Sequence, residues 1–257
     1  MHYRTPVIGG RFSNILYCLL NNHVHWMRTG AECMYVNSRR YNRNVIPRAV
    51  VEAFGLGGVY DANESGSVPD SAIEFVFEDP RSICFAGFGF DFTSSELESF
   101  IRSVLLPSGR FGGLVGDRVG VHIRGGDYLA GGNSAQFGFR SFGYLEAALE
   151  RMAGLGVREA DVYSDDFMHA REYAGVFRAA GFSVNWMEGG SMEGDFAGLS
   201  CHRRRILWNS TWSYWTAYIG NVLFGDNHSE VIAPWFHVSW FNGGAAHQLD
   251  PRWTVLR

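Results

Sequence analysis

The segment HIRGGDY, residues 122–128, combines residue types that bind phosphate. The planar guanidinium of Arg124 matches phosphate oxygens, and Gly125 and Gly126 allow backbone amides to approach the same anion. The segment directly follows the apolar alternation Val-Gly-Val, which predicts that it lies at the carboxyl end of a strand, where open α/β sheets bind ligands. Such a loop could hold a diphosphate without a metal ion. The alternative is a tight surface turn in which Asp127 accepts turn amides and pairs with Arg124.

A second polar segment, YSDD, ends the next predicted strand and should emerge at the same edge of the sheet. Its two carboxylates, Asp165 and Asp166, can accept hydrogen bonds from hydroxyls or from base edges. Asp166 can instead cap the helix that is predicted to begin near Phe167, since helix N-termini favour acidic residues. The role of Asp165 stays open, and we count it as a candidate binding residue.

The segment NSTWSYW follows another predicted strand and begins another predicted helix. Ser210, Thr211 and Ser213 place three hydroxyls within four positions, and hydroxyls and amides at a helix N-terminus bind anions. The same residues could equally be ordinary N-cap residues. Trp212 and Trp215 are spaced i, i+3, which predicts mainly a buried helix face.

Asp195 stands upstream of that unit, in the segment GDFAGLSC. Its carboxylate could accept hydrogen bonds from the neighbouring N1 and N2 donors of guanine. It could equally cap the short helix that it begins.

The elements that position these residues follow a regular pattern from residue 118 onward, where short β-branched or aromatic runs alternate with segments of helical periodicity. This pattern predicts βα units and a mostly parallel sheet, and we expect this half to be doubly wound. The predicted strands are Arg118–Ile123, Ala160–Ser164, Phe182–Met187, Arg204–Trp208 and Glu230–Ala233. The predicted helices are Phe142–Ala153, Phe167–Ala180, Asp195–Cys201 and Thr211–Gly220.

The first 110 residues are less regular. A helix over Ser95–Leu105 is predicted by Ser95 and Glu98, which could form a capping box. The breaker-rich stretch 107–113 predicts a boundary between an N-terminal lobe, residues 1–113, and a C-terminal lobe, residues 114–257. The other elements predicted in the first lobe are strands at Thr5–Ile8, Cys33–Val36 and Ile83–Ala86 and an amphipathic helix over Asn14–Arg28.

The composition excludes several classes of protein. Hydrophobic residues make up 46% of the 257 residues and charged residues 19%, so the chain can bury a core and should be globular. The net charge of -4 and the pI of about 6.1 give no overall attraction to nucleic acid or anionic lipid. Any polyanion must therefore be met by a local basic patch.

The cysteines and the N-terminus indicate a cytoplasmic protein. The four cysteines stand far apart, without a CxxC pair, so neither a zinc site nor a disulfide framework is predicted. The opening MHYRTPVIGG lacks the basic segment and apolar run of a signal peptide, and the longest early apolar stretch is too short to span a membrane.

The four polar segments, in their order and spacing, resemble the α-1,2-fucosyltransferase family. In that family HxRxGDY, SDD, DF-x-x-(L/M)-S-x-C and NSTFSWW follow one another, and here they stand as HIRGGDY, YSDD, DFAGLSC and NSTWSYW. The opening GGRFSNILYCLL is similar to that family's GGLGNQMFQYA, and residues 233–236 are similar to its closing proline-tryptophan segment. The resemblance is specific in the second half and weak between residues 30 and 115.

The resemblance implies a GT-B fold, with two Rossmann-like lobes and a cleft between them. It also implies that GDP-β-L-fucose is the donor substrate, that the transfer inverts the anomeric centre, and that no metal or separate cofactor takes part. By the same resemblance Arg124 contacts the diphosphate, His122 shapes that loop and Asp195 reads guanine.

Further site residues are implied in the same way. Ser213 and the neighbouring hydroxyls of Ser210 and Thr211 would meet phosphate, whereas Gly10 and Asn14 would lie at the cleft on the first lobe. The C-terminal lobe would thus bind the nucleotide sugar, and the N-terminal lobe would face the acceptor.

The leading hypothesis is transfer of a fucosyl or related deoxyhexosyl group from a GDP-sugar to a hydroxyl of a glycan or small glycosylated metabolite. Arg124 would stabilise charge on the leaving diphosphate. A general base is needed if the transfer is concerted, and its candidates are Asp127, Glu32 and Asp91.

Two departures from the family pattern leave alternatives open. A second arginine is usual where Gly125 stands, and the family's LGNQ is replaced by RFSN. The first alternative is a glycosyltransferase that uses another nucleotide sugar, such as GDP-mannose or a TDP-sugar. The second is a nucleotide-binding or glycan-binding module that has lost catalysis.

Overall fold

The chain is divided into two compact units. The structure is a computed structural model, and it describes residues 2–5, 11–40, 45–61, 69, 72–75, 87–139 and 141–257. The units are Met1–Arg110 and Phe111–Arg257, and each contains its own parallel sheet. The division falls within the breaker-rich stretch 107–113.

The first unit contains a four-stranded parallel sheet in the order β3-β2-β1-β4. Its strands are β1 (His2–Thr5), β2 (Cys33–Asn37), β3 (Val59–Asp61) and β4 (Ile73–Phe75). Its helices are α1 (Phe12–Thr29), α2 (Arg48–Phe54) and α3 (Ser94–Phe100), and α3 continues as a π-helical turn over Ile101–Leu105 and a 3₁₀ turn over Leu106–Ser108.

The start of α3 differs from the predicted one. The capping box is formed by Thr93 and Glu96, because Thr93 is extended and its hydroxyl accepts from the Glu96 amide. The predicted pair, Ser95 and Glu98, is therefore wrong, since Ser95 already lies in the first turn of the helix.

Three short elements of the first unit were not predicted, namely α2, β3 and β4. Each has seven residues or fewer, too short for a periodic pattern to stand out. The predicted strand Ile83–Ala86 lies outside the described residues.

The second unit contains a six-stranded sheet in the order β10-β9-β8-β5-β6-β7, and its neighbouring strands pair in parallel. The strands are β5 (Val115–Ile123), β6 (Glu159–Ser164), β7 (Ser183–Trp186), β8 (His202–Ile206), β9 (Val231–Pro234) and β10 (Thr254–Leu256). The helices are α4 (Asn133–Phe137), α5 (Ser141–Gly154), α6 (Phe167–Ala170), α7 (Ala174–Ala179), α8 (Met192–Ser200) and α9 (Thr211–Phe224).

The central strand β5 shows why helices cover both faces of this sheet. Val119, Val121 and Ile123 point to one face and are buried in the core formed with α5 and α7. The intervening Gly120 and His122 face α8 and α9, where a side chain at Gly120 would lie 2.6 Å from Leu199. The expectation of a doubly wound second half is thus confirmed.

Two of the element predictions for this unit need correction, and two short elements, α4 and β10, were not predicted. The helix predicted over Phe167–Ala180 is interrupted by a 3₁₀ turn at Arg171–Tyr173, which separates α6 from α7. The helix predicted to begin at Asp195 begins at Met192. The edge strand β10 was not predicted, because three residues beside the chain terminus carry no pattern.

A buried arginine joins the C-terminus of α8 to α9. The Arg205 guanidinium donates to the carbonyls of Leu199 and Ser200, at the C-terminus of α8, at 3.2 and 2.6 Å. It packs against Gly220 of α9, where even a single carbon side chain would lie 1.4 Å from the guanidinium. A cation at a helix C-terminus is favourable, and the missing side chain at Gly220 makes room for it.

No helix in the described ranges is both long and apolar enough to cross a membrane.

A second buried network joins four neighbouring strands, β8, β5, β6 and β7. The Asp161 carboxylate accepts from His202 Nε2 at 3.0 Å, from Arg118 Nε at 2.9 Å and from Asn185 Nδ2 at 3.1 Å. Burial by itself raises the pKa of this carboxyl, but hydrogen bonds from His202, Arg118 and Asn185 outweigh it and hold the pKa well below its usual range. The ionised carboxylate therefore stabilises the sheet.

We expect Asp161→Asn to lower the free energy of unfolding at pH 7 by about 3–5 kcal/mol, because it removes one partner of a buried charge network. The folded pKa lies below that of an unfolded aspartate, so this stabilisation is present at neutral pH and is lost as the pH falls below about 4. Denaturant unfolding of wild type and variant between pH 3 and 7 measures the difference.

Glu159→Gln is the matched control, because Glu159 is an exposed partner of the same arginine, Arg118. Its loss should stay below about 1 kcal/mol. Equal losses in the two variants, or a difference between Asp161→Asn and wild type that does not change with pH, would contradict the role of the buried carboxylate.

Candidate functional site

The predicted site residues of the second unit lie along one edge of its sheet. Arg124 follows β5, Asp165 follows β6, and Ser210 and Thr211 begin α9 after β8. Asp195 lies in the first turn of α8, which begins after β7. Because the strands are parallel, all their carboxyl ends meet at this edge, where such sheets bind ligands.

Arg124 lies at the centre of this edge and is held between two carboxylates. Its Nη1 is 2.7 Å from Asp165 Oδ2, its Nη2 contacts Asp127 Oδ1, and its guanidinium lies 4.9 Å from the centroid of the Tyr128 ring. The Arg124 side chain is only 11% exposed, and its Nε has no hydrogen-bond partner among the described residues. The pairing with Asp127 was expected for a surface turn, but Arg124 is not a surface residue.

Gly125 and Gly126 let the arginine loop dock on Asp165. The Gly125 amide donates to Asp165 Oδ1 at 3.0 Å. Gly126 has a positive φ of 50°, and a side chain there would lie 2.4 Å from Asp165 Oδ2. A side chain at Gly125 would lie 2.8 Å from Asp166 Cβ, so the arginine usual in the related family does not fit this loop as it stands. Asp165 thus anchors the loop, a contact that the sequence left open.

Asp166 caps the following helix, as predicted. Its carboxylate accepts from the His169 amide at 3.1 Å at the start of α6. Asp165 therefore anchors the arginine loop and Asp166 caps a helix, although they are neighbours in the chain.

His122 and Ser213 are brought together although 91 residues separate them in the chain. His122 Nδ1 lies 2.5 Å from the Ser213 hydroxyl, which also accepts from the Trp208 amide at 3.2 Å. Both side chains are buried, and burial, with the nearby Arg124 charge, holds the pKa of His122 well below its usual range. A neutral His122 therefore supports the start of α9, and a phosphate contact by Ser213 stays a prediction.

The two tryptophans of NSTWSYW have different environments. Trp215 is fully buried, as its helix spacing predicts. Trp212 is only partly buried, and its ring lies 4.6 Å from the imidazole of His122. The apolar face of α9 thus reaches the edge of the site.

Asp195 is not the cap of its helix. Ser191 is the N-cap of α8, and its hydroxyl accepts from the Gly194 amide at 3.1 Å. Asp195 is partly buried in the first turn, and burial, together with the charge of Glu193, raises the pKa of its carboxyl to about 6. The capping role proposed for Asp195 is wrong, and its carboxylate is left for another role.

At the start of α9, Ser210 occupies the N-cap position, but its side chain makes no capping hydrogen bond. Ser210 and Thr211 are both buried. The first turn of this helix therefore resembles the anion sites found at other helix N-termini, and phosphate contacts there stay a prediction.

The candidates in the first unit are placed less fully. Gly10 lies outside the described residues, whereas Asn14 lies in the first turn of α1 and is partly buried. Glu32 immediately precedes β2, at the amino end of that sheet and hence opposite to the edge where parallel sheets bind ligands. Asp91 accepts from the Gly87 amide at 3.2 Å in the turn before α3.

A cavity that sequence reasoning missed lies beside Arg124. Its volume is about 540 Å³, and its lining includes Trp208 and Asn209, which follow β8. The only sequence signal was the density of aromatic residues in the stretch 128–144, which reads as an ordinary loop and helix start. The remaining lining residues are Tyr128, Leu129, Phe137, Gly138, Phe139, Ser141, Phe142, Gly143, His169 and Tyr173.

Comparison with known proteins places this edge within a matched region. The model of glycosyl transferase family 11 matches residues 90–240. An alpha-1,2-colitosyltransferase of Escherichia coli is 27% identical over 141 residues, which cover 52% of this chain and 44% of the relative. The chain thus spans less than half the length of this relative.

Structural comparison supports the fold. The E. coli heptosyltransferase WaaC, solved with ADP-2-deoxy-2-fluoro heptose, has a TM-score of 0.51 and 12% sequence identity, covering 100% of this chain and 93% of that chain. The two parallel sheets and this likeness give an α/β fold of the GT-B-like type, which confirms the predicted fold class.

We expect Gly126→Ala to destabilise the protein more than Gly131→Ala. Both glycines have a positive φ, so each alanine should cost about 1–2 kcal/mol of backbone strain. Only at Gly126 does the new methyl group meet Asp165, which should add roughly 1–3 kcal/mol. Urea unfolding of both variants measures the difference, and equal losses would show that the loop does not need its close approach to Asp165.

Proposed function

Because this chain belongs to glycosyl transferase family 11, we propose that it transfers a fucosyl or related deoxyhexosyl group from a GDP-sugar to a hydroxyl of an acceptor. The matching relative is a colitosyltransferase, which supports a sugar transfer of this type. The observation that carries the proposal is the largely buried guanidinium of Arg124 at the carboxyl end of β5, whose Nε has no hydrogen-bond partner within the described part of the chain. A buried cation at this edge suits a leaving diphosphate.

Arg124 stabilises the negative charge that grows on the diphosphate as the sugar leaves. A guanidinium presents five donors in a planar fork, so it can keep Asp165 on one side while phosphate oxygens take the remaining positions. Asp165 holds both Arg124 and the Gly125 amide, and it thereby fixes the direction of the fork.

Asp127 is the residue we assign as general base. Its side chain is 40% exposed, compared with 30% for Asp165, and it contacts Arg124 from within the same loop. When the diphosphate takes the Arg124 donors that Asp127 now occupies, the Asp127 carboxylate no longer pairs with Arg124 and can accept the proton of the acceptor hydroxyl. Attack from the face opposite the diphosphate inverts the anomeric centre.

The first turns of two helices complete the donor site. The amides at the start of α9, with the hydroxyls of Ser210 and Thr211, bind phosphate oxygens, and His122 holds Ser213 and the end of β8 in place beneath them. Asp195, in the first turn of α8, accepts from the N1 and N2 donors of guanine.

The positive charge of Arg124 and these helix-terminal donors perform the work that a cation would otherwise do on the diphosphate, so transfer proceeds without a metal ion or separate cofactor. Gly10 and Asn14 of the first unit are the candidate contacts for the acceptor, a glycan or small glycosylated metabolite.

We expect Arg124→Ala to lose on the order of 2–5 kcal/mol of GDP binding, the range for truncating one partner of a buried charge pair. Arg124→Lys keeps the charge but loses the fork, so its affinity should also fall. Titration calorimetry with GDP, in low salt and with EDTA present, measures both effects. A melting curve for each variant checks that it is folded.

Arg118→Ala is the matched control, because Arg118 lies on β5, the strand that Arg124 follows, and also contacts two carboxylates, Glu159 and Asp161. It should keep its affinity for GDP. Normal GDP affinity in a folded Arg124→Ala protein would refute the diphosphate site. Binding that appears only after magnesium or manganese is added would refute the metal-independent mechanism.

We expect the preference for GDP over ADP to fall about tenfold between pH 7 and pH 5. The pKa of Asp195 is about 6, so its carboxylate is ionised at pH 7 and largely protonated at pH 5. Only the ionised form accepts both guanine donors. Because both nucleotides carry the same titrating phosphate, the ratio of their dissociation constants isolates the carboxyl group.

Asp195→Asn should show a weaker preference for GDP at pH 7 and no change in that preference down to pH 5. An unchanged preference at pH 7 in a folded variant would remove Asp195 from the guanine site. Binding of TDP or UDP in place of GDP by the wild-type protein would instead support another nucleotide sugar as donor.

A further inference from the structure

Asp195 differs from Arg124 in that no other described side chain holds its charged group. Arg124 is paired with Asp165 at 2.7 Å. Within the described residues the Asp195 carboxylate has neither an ion-pair nor a hydrogen-bond partner, and the charge of Glu193 repels it. Packing must therefore set the position of this carboxylate.

The Asp195 carboxylate also has a reason to pair with a ligand. It is partly buried, and burial, together with the Glu193 charge, raises its pKa to about 6. A partly buried charge without donors costs free energy, and a ligand with two neighbouring N–H groups offsets that cost. The direction of the carboxylate then decides which ligand can supply both donors.

The packing of α8 fixes where the Asp195 side chain begins. Ser191 caps the helix, and the next residue after Asp195, Phe196, is fully buried with its ring 5.6 Å from that of Trp212 on α9. Side chains on a helix lean toward its N-terminus, so a side chain in the first turn reaches back over the residues that precede the helix. For Asp195 that residue is Gly190.

Gly190 leaves the space that the carboxylate occupies. A side chain at Gly190 would place its first carbon 3.0 Å from Asp195 Cγ and 3.3 Å from Oδ2, with Oδ1 closer still. These separations are shorter than van der Waals contact, so a side chain there would displace the carboxylate.

The backbone does not explain the glycine at this position. Gly190 lies outside the left-handed region, whereas the preceding Gly189 has a φ of 86° and a side chain on it would meet no atom within 4 Å. Gly189 is thus a turn glycine. Gly190 is distinguished from it by the contact with Asp195.

We propose that Gly190 sets the base preference of the donor site, because its missing side chain lets the Asp195 carboxylate keep the direction in which both oxygens can accept from one base. The inference rests on the proposed function, since it takes Asp195 as the residue that binds N1 and N2 of guanine. Gly190 is a positioning residue, which acts through Asp195. A side chain at position 190 would turn the carboxylate, and two parallel hydrogen bonds to one base would no longer form.

The test compares GDP with inosine diphosphate, which keeps the N1 donor of guanine and lacks the N2 amino group. Titration calorimetry at pH 7 gives both dissociation constants. Wild type should bind GDP at least about tenfold more tightly, the value for one hydrogen bond to a charged group. In Gly190→Ala the ratio should fall to about threefold or less, while the affinity for ADP, whose base lacks both donors, stays within about twofold.

Two matched variants separate the contact from general strain in the loop. Gly189→Ala strains the backbone without meeting Asp195, so it should keep the ratio within about twofold of wild type. The double variant Gly190→Ala/Asp195→Asn should have the same ratio as Asp195→Asn alone, because Gly190 acts only through the carboxylate.

Melting curves keep the test decisive. An aspartate side chain can rotate, so Gly190→Ala should melt close to wild type and above Gly189→Ala. If Gly190→Ala melts lower than Gly189→Ala, Gly190→Ala/Asp195→Ala should recover the lost stability, because the clash needs the carboxylate. A double variant as unstable as the single one would show that the contact does not matter.

A wild-type ratio in Gly190→Ala, or equal losses of preference in Gly189→Ala and Gly190→Ala, would overturn the proposal. If Asp195→Asn loses the preference in the same experiment, the base site stands and only the role of Gly190 fails. If Asp195→Asn keeps the preference, the assignment of Asp195 to guanine fails and the role of Gly190 fails with it. The two failures are therefore distinguishable.

Discussion

A buried guanidinium must have its charge balanced, and the site of this protein is organised around that requirement. Arg124 directly follows β5 at the carboxyl edge of the sheet, where its side chain is largely shielded from solvent. Two carboxylates, Asp127 and Asp165, hold its guanidinium there. Asp165 also accepts a hydrogen bond from the Gly125 amide. With the loop docked in this way, there is no room for a side chain at Gly125 or at Gly126. The loop sequence, its docking on β6 and the direction of the arginine are therefore one arrangement.

A cation–π contact and ring stacking join the arginine loop to the aromatic cavity. The guanidinium lies over the Tyr128 ring, and Tyr128 stacks on Phe137, so the cation and the aromatic wall share a side chain. At the other wall, Asn209 ties the carbonyl of Phe137 to that of His237. The Arg124 guanidinium and an aromatic wall of the cavity thus come from the same short stretch of chain.

The sequence predicted the second unit well where its strands are mostly buried and read as short apolar runs between helical segments, as β6 and β9 do. Strand β8, with the sequence HRRRI, was predicted to begin two residues too late. The sequence also predicted that the polar residues after these strands lie at one edge of the sheet, because the carboxyl ends of parallel strands all lie at the same edge. It did not predict short elements such as β3 or β10. The cap of α3 was misplaced by two residues because both Thr93 and Ser95 fit the local pattern. The partner of Arg124 across the sheet and the cavity could not be predicted, because they depend on contacts between segments 40 or more residues apart.

The contact between Arg205 and Gly220 has a consequence for how this sequence can change over time. Arg205 occupies the volume that any side chain at position 220 would need, and it holds the C-terminus of the helix whose other end carries Asp195. An accepted substitution at Gly220 therefore requires a smaller residue at position 205, and loss of the arginine leaves a void and removes its hydrogen bonds to the Leu199 and Ser200 carbonyls. Related sequences should keep both residues or replace both together. The two positions should therefore covary, although they are remote from the chemistry.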